Sequence, residues 1–175
     1  MFSKPNMKRH WARKYAKGFE GHEPDTTLVE AALKNALVPG SVLEIGAGTR
    51  YFSQLMRGWG YTVTDTDLVV GDQLDITRER LQDFDNVVAM GVIHHIIDHD
   101  KFLAGLENIK AMAQKRVVLA VKLPSVQHSR KTRHSCRYSV LDYIDVLGNP
   151  VTVTGCGYLS LLEWDVKPAG LPEGA

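Results

Sequence analysis

Apolar residues follow two periods along this chain, one typical of helices and one typical of buried strands. At positions 25–37 they recur every three or four residues, which predicts an amphipathic helix that Asp25 caps and Pro39-Gly40 ends. Short runs of apolar or β-branched residues, which predict strands, alternate with such helical stretches as far as position 147. The predicted strands cover positions 41–45, 61–66, a short piece near the end of 68–76, 86–90, 116–121, 151–154 and 158–164. The further predicted helices cover 51–57, one or two turns of 77–82, 101–113 and 139–147.

The order of these elements predicts one α/β domain. Strands that alternate with helices build a mostly parallel sheet with right-handed crossovers and helices on both faces. Two successive strands at the end, joined at Gly155-Cys156-Gly157, add one antiparallel strand and make seven strands in all. Ligands of such sheets bind beyond the carboxyl ends of the strands, where the strand order reverses. We therefore expect the functional residues at that edge.

Composition and charge narrow the class of protein. The chain has 175 residues, of which 44% are hydrophobic and 23% charged, as is usual for a globular domain with a sizeable core. No apolar run approaches the roughly 20 residues that span a bilayer, and the basic positions 1–18 contain no apolar signal segment. Cys136 and Cys156, 20 positions apart, form neither a disulfide framework nor a zinc site. We therefore expect a cytoplasmic protein without a metal, and the net charge of +1 argues against a general polyanion binder.

The most informative segment is a strand that runs directly into a turn of small residues. In Glu44-Ile45-Gly46-Ala47-Gly48-Thr49 the two glycines allow a tight turn and let a ligand approach the main chain without meeting a Cβ atom. Two glycines alone are a weak indication, because many strand-to-helix turns contain them. Asp67, which follows the second predicted strand 21 residues after Gly46, adds a carboxylate suited to accepting hydrogen bonds from both hydroxyls of a ribose.

With these segments in place, the sequence resembles the class I S-adenosylmethionine-dependent methyltransferases. Positions 44–49 are similar to their first motif, which holds the amino-acid end of the cofactor, and 60–67 are similar to the second, with Asp67 at the ribose position. Asp75-Ile76-Thr77 resembles the third motif, whose carboxylate receives the adenine amino group, although Gly71-Asp72 resembles it too. Positions 84–95 resemble the fourth strand of many small-molecule members.

The resemblance implies a Rossmann-like fold and an enzyme that transfers a methyl group from S-adenosylmethionine to a small or modest-sized acceptor, with S-adenosylhomocysteine as product. Two features depart from the family pattern: Arg50 replaces a third glycine, and the segment between the second and third motifs is too short for its usual helix. We expect the Arg50 side chain to swing aside or to contact the carboxylate of the ligand. The implied cofactor residues are Glu44 supporting the turn, Gly46, Ala47 and Gly48 near the cofactor, Asp67 on the ribose, Asp75 on the adenine, and Ile76 and Met90 as apolar walls.

Simpler interpretations stay open for the same residues. Gly46 and Gly48 could form only a tight turn, Asp67 could be a solvated strand end, and Asp75 could cap the helical turn that follows it. A nicotinamide-dependent Rossmann enzyme would share the turn and the acid, but it usually has a third glycine where this chain has Tyr51. A further alternative is a cofactor-binding protein on the same fold that regulates or binds without catalysis.

An RNA methyltransferase is the remaining alternative. Lys122 and Glu163 stand at places similar to two members of the catalytic set of ribose 2′-O-methyltransferases. The aspartate of that set is missing, because Gly91 occupies its place. Nucleic acid is therefore a less favoured partner than a small molecule.

Two histidines are candidates for catalysis. His94 and His95 directly follow the fourth predicted strand, at the edge where a methyl acceptor would lie. A histidine there can take a proton from a hydroxyl or an amine, because its ordinary pKa is about 6.5. Methyl transfer also often needs only proximity and alignment, since a sulfonium is already a good methyl donor. The sequence leaves open whether either histidine is catalytic or only shapes the pocket.

Two basic stretches flank the same edge. The first lies within positions 1–18. Trp11, Tyr15 and Phe19, at intervals of four, predict an amphipathic helix there. Such a helix could dock on the core, close as a lid over an anionic acceptor, or bind nucleic acid. The second, at positions 127–137, has four cations and no acid, so we expect it to be mobile until an anionic acceptor binds. The single domain thus divides into a basic N-terminal helix or arm (1–24), a cofactor-binding core (25–122), a basic loop (123–138) and a closing helix, strands and tail (139–175).

Overall fold

The computed structural model of this chain describes residues 7–17, 27–124 and 135–166. Four sequence predictions lie wholly or partly outside these ranges: the Asp25 cap, the position of Phe19, most of the basic loop and the tail at 168–175. The strands are β1 Ser41–Ile45, β2 Thr62–Asp67, β3 Asp72–Gln73, β4 Phe84–Met90, β5 Ala113–Val121, β6 Thr152–Cys156 and β7 Leu159–Asp165. The helices are α1 Met7–Ala16, α2 Thr27–Ala36, α3 Tyr51–Gly58, α4 His99–Met112 and α5 Val140–Leu147, with a 3₁₀ turn at Ile93–His95.

The sheet confirms the predicted mostly parallel, seven-stranded architecture. Its strand order is β3-β2-β1-β4-β5-β7-β6. Neighbours among β1 to β5 pair in parallel, whereas β7 runs antiparallel to both β5 and β6. The chain passes from β1 to β2 on one side and returns to β4 on the other, so the strand order reverses between β1 and β4. A crevice at this reversal is where sheets of this kind bind ligands.

Apolar side chains cover both faces of the sheet, because neighbouring residues of each strand point to opposite sides. Leu43 and Val87 join the cluster under α4 and α5, while Val42 and Val88 join the cluster under α2 and α3. The predicted inner face of α2 is confirmed, since Val29, Leu33 and Ala36 are buried. No helix within the described ranges is long and apolar enough to cross a membrane.

Two of the predicted elements are corrected. Ala113, predicted to end a helix, instead begins β5, where it pairs with Phe84 of β4. Positions 77–82 form no helix beyond one hydrogen-bonded turn, in which the backbone N–H groups of Arg78 and Glu79 donate to the carbonyl of Asp75. A longer helix there has no apolar face to hold it, since Leu81 is 40% exposed.

The sequence pattern at 139–147 predicts a helix through Val140, Ile144 and Leu147, but the buried face of α5 is a different one. Tyr143 and Val146 are its buried residues, rather than Val140, Ile144 and Leu147. The reason is aromatic packing. Tyr143 lies edge-on to Phe102 at 5.2 Å and also contacts the ring of Trp164, and burying a large ring outweighs burying a smaller aliphatic side chain.

Asn86 of β4 anchors the loop that leads into β1. Its fully buried side chain donates to the carbonyls of Val38 and Ser41 at 2.9 and 3.1 Å and accepts the N–H of Val38 at 3.0 Å. These three bonds set where β1 starts, and they therefore set where its carboxyl end meets the crevice.

We expect Asn86→Ala to lower the free energy of unfolding by about 2–4 kcal/mol, because it leaves buried loop groups without hydrogen-bond partners. Chemical denaturation measures the change. Asn149→Ala, at an exposed position, is the matched control and should change stability by no more than about 0.5 kcal/mol. A loss at Asn86 no larger than at Asn149 would show that the anchor is dispensable.

Candidate functional site

A cavity of about 740 Å³ opens at the carboxyl ends of β1, β2 and β4. The cavity volume lies in the upper part of the range of about 300–1,000 Å³ that is typical of small-molecule sites, so it has room for more than one small ligand. The ten residues that the sequence favours for cofactor binding or catalysis all line its wall, whereas the less favoured candidates Asp72 and Glu163 do not. The ten residues are Glu44, Gly46, Ala47, Gly48, Asp67, Asp75, Ile76, Met90, His94 and His95.

The glycine turn after β1 lines the cavity with its backbone. Gly46 and Gly48 have φ angles of +71° and +52°, a region that favours glycine. A Cβ atom on Gly46 would clash with Val92, and one on Gly48 would lie 3.0 Å from the hydroxyl oxygen of Tyr15. The turn therefore needs both glycines for its conformation and for the space above it.

Glu44 supports this turn from inside the protein. It is 2% exposed, and its carboxylate accepts a hydrogen bond from the Ser53 hydroxyl of α3. Burial raises the pKa of Glu44 to about 7 against the lowering effect of Ser53. The negative charge of Asp65 raises this pKa further, and the positive charge of Arg57 lowers it. Glu44 is therefore a carboxyl group that can change its charge near neutral pH.

Asp67 is a buried, hydrogen-bonded carboxylate, which excludes the interpretation of a solvated strand end. Its Oδ2 accepts the N–H of Gly48 at 3.2 Å, and its Oδ1 accepts the N–H groups of Val69 and Val70 at 2.8 and 3.4 Å. A carboxylate offers about four acceptor positions, so capacity remains for a ligand hydroxyl. The residue thus joins the glycine turn to the end of β2 while facing the cavity.

Of the two candidate adenine residues, only Asp75 reaches the cavity. Its Oδ1 accepts hydrogen bonds from the backbone N–H and the hydroxyl of Thr77 at 3.1 and 2.7 Å. Its Oδ2 lies 3.6 Å from Nε of Arg78. Asp75 therefore does cap the turn that follows, as one interpretation held, and it also lines the cavity. Asp72 is exposed on β3 and is not part of the wall.

Arg50, the departure from the family pattern, swings aside. Its backbone has a φ angle of +65°, and its Nε lies 2.7 Å from Oδ2 of Asp65. The guanidinium group packs against Gly71, where a side chain would collide with it. Arg57 binds the other oxygen of Asp65. The Arg50 side chain is therefore held outside the wall of the cavity.

The two histidines have different surroundings. His94 is 2% exposed, and its Nδ1 has no hydrogen-bond partner among the described residues. Burial lowers the pKa of His94 to about 2, and the positive charges of His95, Lys122 and Arg137 contribute to that decrease. His95 is less buried, and its ring lies 4.9 Å from the ring of Trp11 in an edge-to-face contact. His94 thus stays neutral at physiological pH, and His95 is the better candidate to accept a proton.

Helix α1 covers the cavity, as predicted for a basic amphipathic helix docked at this edge. Nζ of Lys8 donates to Oε1 of Gln73 at 2.8 Å and so ties α1 to β3. Tyr15 lies close enough to Asp67 that burial, helped by that negative charge, raises the tyrosine pKa to about 12. The sequence signal for this placement is the spacing of Trp11 and Tyr15. Four residues of α1 line the wall: Met7, Lys8, Trp11 and Tyr15.

Lys122 contributes to the wall without the partner that the RNA interpretation required. Glu163 lies outside the cavity wall and faces Arg116, with Oε2 3.5 Å from Nη1. Lys122 instead lines the cavity and places Nζ 5.1 Å from the ring centre of Tyr158. The sequence does not predict the contribution of Tyr158, because the contact joins two positions 36 residues apart.

Known proteins are similar to this chain in sequence and in fold. A family model described as a methyltransferase domain matches residues 9–147. No curated protein gives a significant match.

Three solved structures illustrate the likeness of the fold. One is the 1,6-didemethyltoxoflavin-N1-methyltransferase of Burkholderia thailandensis, with bound 1,6-didemethyltoxoflavin and S-adenosylhomocysteine. Its TM-score is 0.76 at 16% identity, and the match covers 92% of this chain and 87% of that protein's chain. The magnesium protoporphyrin IX methyltransferase of Synechocystis, with bound S-adenosylhomocysteine, has a TM-score of 0.66 at 14% identity, with coverage of 93% and 97%. An S-adenosylmethionine-dependent methyltransferase of Clostridium acetobutylicum has a TM-score of 0.64 at 11% identity, with coverage of 93% and 100%.

The raised pKa of Glu44 generates a prediction about stability and pH. A carboxyl group whose pKa is about 7 in the folded chain and about 4.3 in the unfolded chain favours folding only while protonated. Its contribution is therefore present below about pH 4.3 and is lost as the pH rises through 7. We expect the wild-type protein to lose about 3 kcal/mol of unfolding free energy relative to Glu44→Gln over that window.

Urea denaturation of both proteins from pH 4 to pH 8 measures this difference. The change that His94 makes over the same pH range is common to both proteins and cancels. Stability curves that run parallel across the window would show that Glu44 titrates as an ordinary carboxyl group.

Proposed function

Because this chain belongs to the methyltransferase domain family, whose model spans residues 9–147, we propose that it transfers a methyl group from S-adenosylmethionine to a small or modest-sized acceptor that carries negative charge. The proposal rests on one observation: the ten residues that the sequence favours for cofactor binding or catalysis all line one cavity, at the place where the strand order reverses. The three structures of similar fold belong to methyltransferases, and two of them hold S-adenosylhomocysteine.

The residues of the cavity suit the chemical groups of this cofactor. The backbone at Gly46, Ala47 and Gly48 lines the cavity and can receive its amino-acid end. Asp67 has acceptor capacity for the ribose hydroxyls, and Asp75 for the adenine amino group. Ile76 and Met90 supply apolar surface at the same wall. When bound, the cofactor supplies a methyl group on a positively charged sulfur, which is already reactive.

The acceptor then lies on the other side of the cavity, beside the 3₁₀ turn. His95 lines that side and accepts the proton that a hydroxyl or amine acceptor loses when it is methylated. The ring of Trp11 limits how the His95 ring can turn. His94 serves as a neutral donor or packing residue, because its depressed pKa makes it a weak base. The fold otherwise contributes alignment and exclusion of water.

The proposed cofactor residues predict that two aspartate substitutions weaken cofactor binding and that a third does not. Asp67→Ala and Asp75→Ala should each weaken S-adenosylhomocysteine binding by about 1.5–3 kcal/mol, the range for a hydrogen bond that involves a charged group. Asp72→Ala, a neighbouring acid outside the cavity, is the control and should leave the affinity unchanged. Isothermal titration calorimetry measures all three, with thermal unfolding as the check on folding. Absence of binding to the wild-type chain at millimolar cofactor would refute the proposed function.

The role of His95 predicts a kinetic effect. We expect His95→Ala to lower turnover roughly 10²–10⁴-fold while cofactor affinity is retained. Release of S-adenosylhomocysteine, followed by mass spectrometry in a screen of small aromatic and aliphatic acids, provides the assay. His99→Ala, which alters an exposed histidine of α4, is the control. A variant at His95 that keeps the wild-type rate would mean that alignment alone drives the reaction.

A further inference from the structure

Two cations lie near each other at the acceptor side of the cavity, and one of them, Lys122, lines its wall. Lys122 directly follows β5 and lines the wall together with His94. Arg137 is placed on the same side by its neighbour Cys136, whose backbone N–H donates to the carbonyl of His94 at 2.7 Å. Burial lowers the pKa of Lys122, and the positive charges of Arg137 and Lys14 lower it further. The surroundings of Lys122 are therefore short of negative charge.

No carboxylate within the described part of the chain compensates these two cations. The basic side chains around Asp65 and Asp85 form ion pairs, whereas Lys122 and Arg137 form none with the acids of the described ranges. The intervening positions 123–136 cannot supply an acid either, since their sequence contains neither aspartate nor glutamate. Charges drawn together without a counter-charge indicate a site for an anion.

Aromatic rings enclose the space beside these groups. Trp11 of α1 and Tyr158 of the turn between β6 and β7 both line the cavity. His95 adds a third flat ring, 4.9 Å from that of Trp11. Flat apolar walls of this kind favour a ligand that is itself a planar ring.

We propose that this end of the cavity binds an aromatic carboxylate, with the carboxylate at Lys122, on the side of Arg137, and the ring beside Trp11 and Tyr158. The proposal rests on the proposed function, in which the same cavity holds the cofactor, and it names the class of acceptor. A carboxylate suits the site because its charge is opposite to that of Lys122 and of the nearby Arg137, and it can be attached directly to a planar ring.

Three probes that share size but differ in charge or planarity test this assignment. Benzoate has both features, benzamide lacks the charge, and cyclohexanecarboxylate lacks the aromatic ring. Saturation-transfer NMR with the full chain, in the presence and absence of S-adenosylhomocysteine, measures the dissociation constant of each. We expect benzoate to bind at least tenfold more tightly than benzamide and at least threefold more tightly than cyclohexanecarboxylate.

Variants of one lysine supply the matched comparison. Lys122→Gln should weaken benzoate binding at least fivefold, and Lys122→Arg should restore most of it, because the charge returns. Lys34→Gln is the control, since Nζ of Lys34 also lies over an aromatic ring, 5.7 Å from the centre of Trp59, but outside the cavity wall. Circular-dichroism melting shows whether each variant is folded.

The outcomes separate this inference from the function on which it rests. Loss of S-adenosylhomocysteine binding by the wild-type chain would refute the proposed function, while the benzoate titration without cofactor would still test the anion site. Cofactor binding together with equal affinity for benzoate and benzamide, or with no effect of Lys122→Gln, would overturn the anion site alone. Equal affinity for cyclohexanecarboxylate and benzoate would overturn the aromatic part of the assignment.

Discussion

The Asp67 carboxylate is the interaction on which the ligand-binding edge depends. It accepts N–H groups from Gly48, in the turn after β1, and from Val69, in the turn after β2, so one side chain joins two turns that are separate in sequence. The backbone of the same residue accepts the N–H of Leu74, which leads into the Asp75 turn. The three segments that carry the cofactor candidates therefore form one hydrogen-bonded unit. A buried carboxylate needs such hydrogen-bond partners. The bonds that stabilise this edge of the sheet therefore also hold Asp67 in place for its proposed contact with a ligand.

Charge is distributed unevenly along the cavity wall. The half beside β1 and β2 presents Glu44, Asp67 and Asp75, although Lys8 and Arg78 also line it. The half beside β5 presents Lys122, with Arg137 near it. Burial lowers the pKa of His94 there, and these positive charges lower it further. A cationic cofactor and an anionic acceptor would each meet the complementary half.

Local sequence patterns predict the parts of this fold that depend on residues close together in the sequence. The limits of β1, the inner face of α2 and the positions of Gly46, Asp67 and Asp75 all follow from short-range periodicity or spacing. The features that sequence misses are tertiary contacts. For Arg50 the sequence leaves two outcomes open, and only its contacts with Asp65 and Gly71 decide that it turns away from the cavity. Tyr158 reaches Lys122 from another strand pair. Likewise, the aromatic neighbours of Tyr143, rather than helical period alone, decide which face of α5 is buried.

Helix α1 closes both halves of the cavity yet is weakly anchored to the rest of the protein. None of its 10 residues is buried, although Tyr15 lies above Gly48 and Trp11 contacts His95. A helix of this length is marginal in water, so docking and ligand contacts must supply much of its stability. Since the Tyr15 hydroxyl lies in the space above the glycine turn, a ligand that enters there must displace α1 or bind against it.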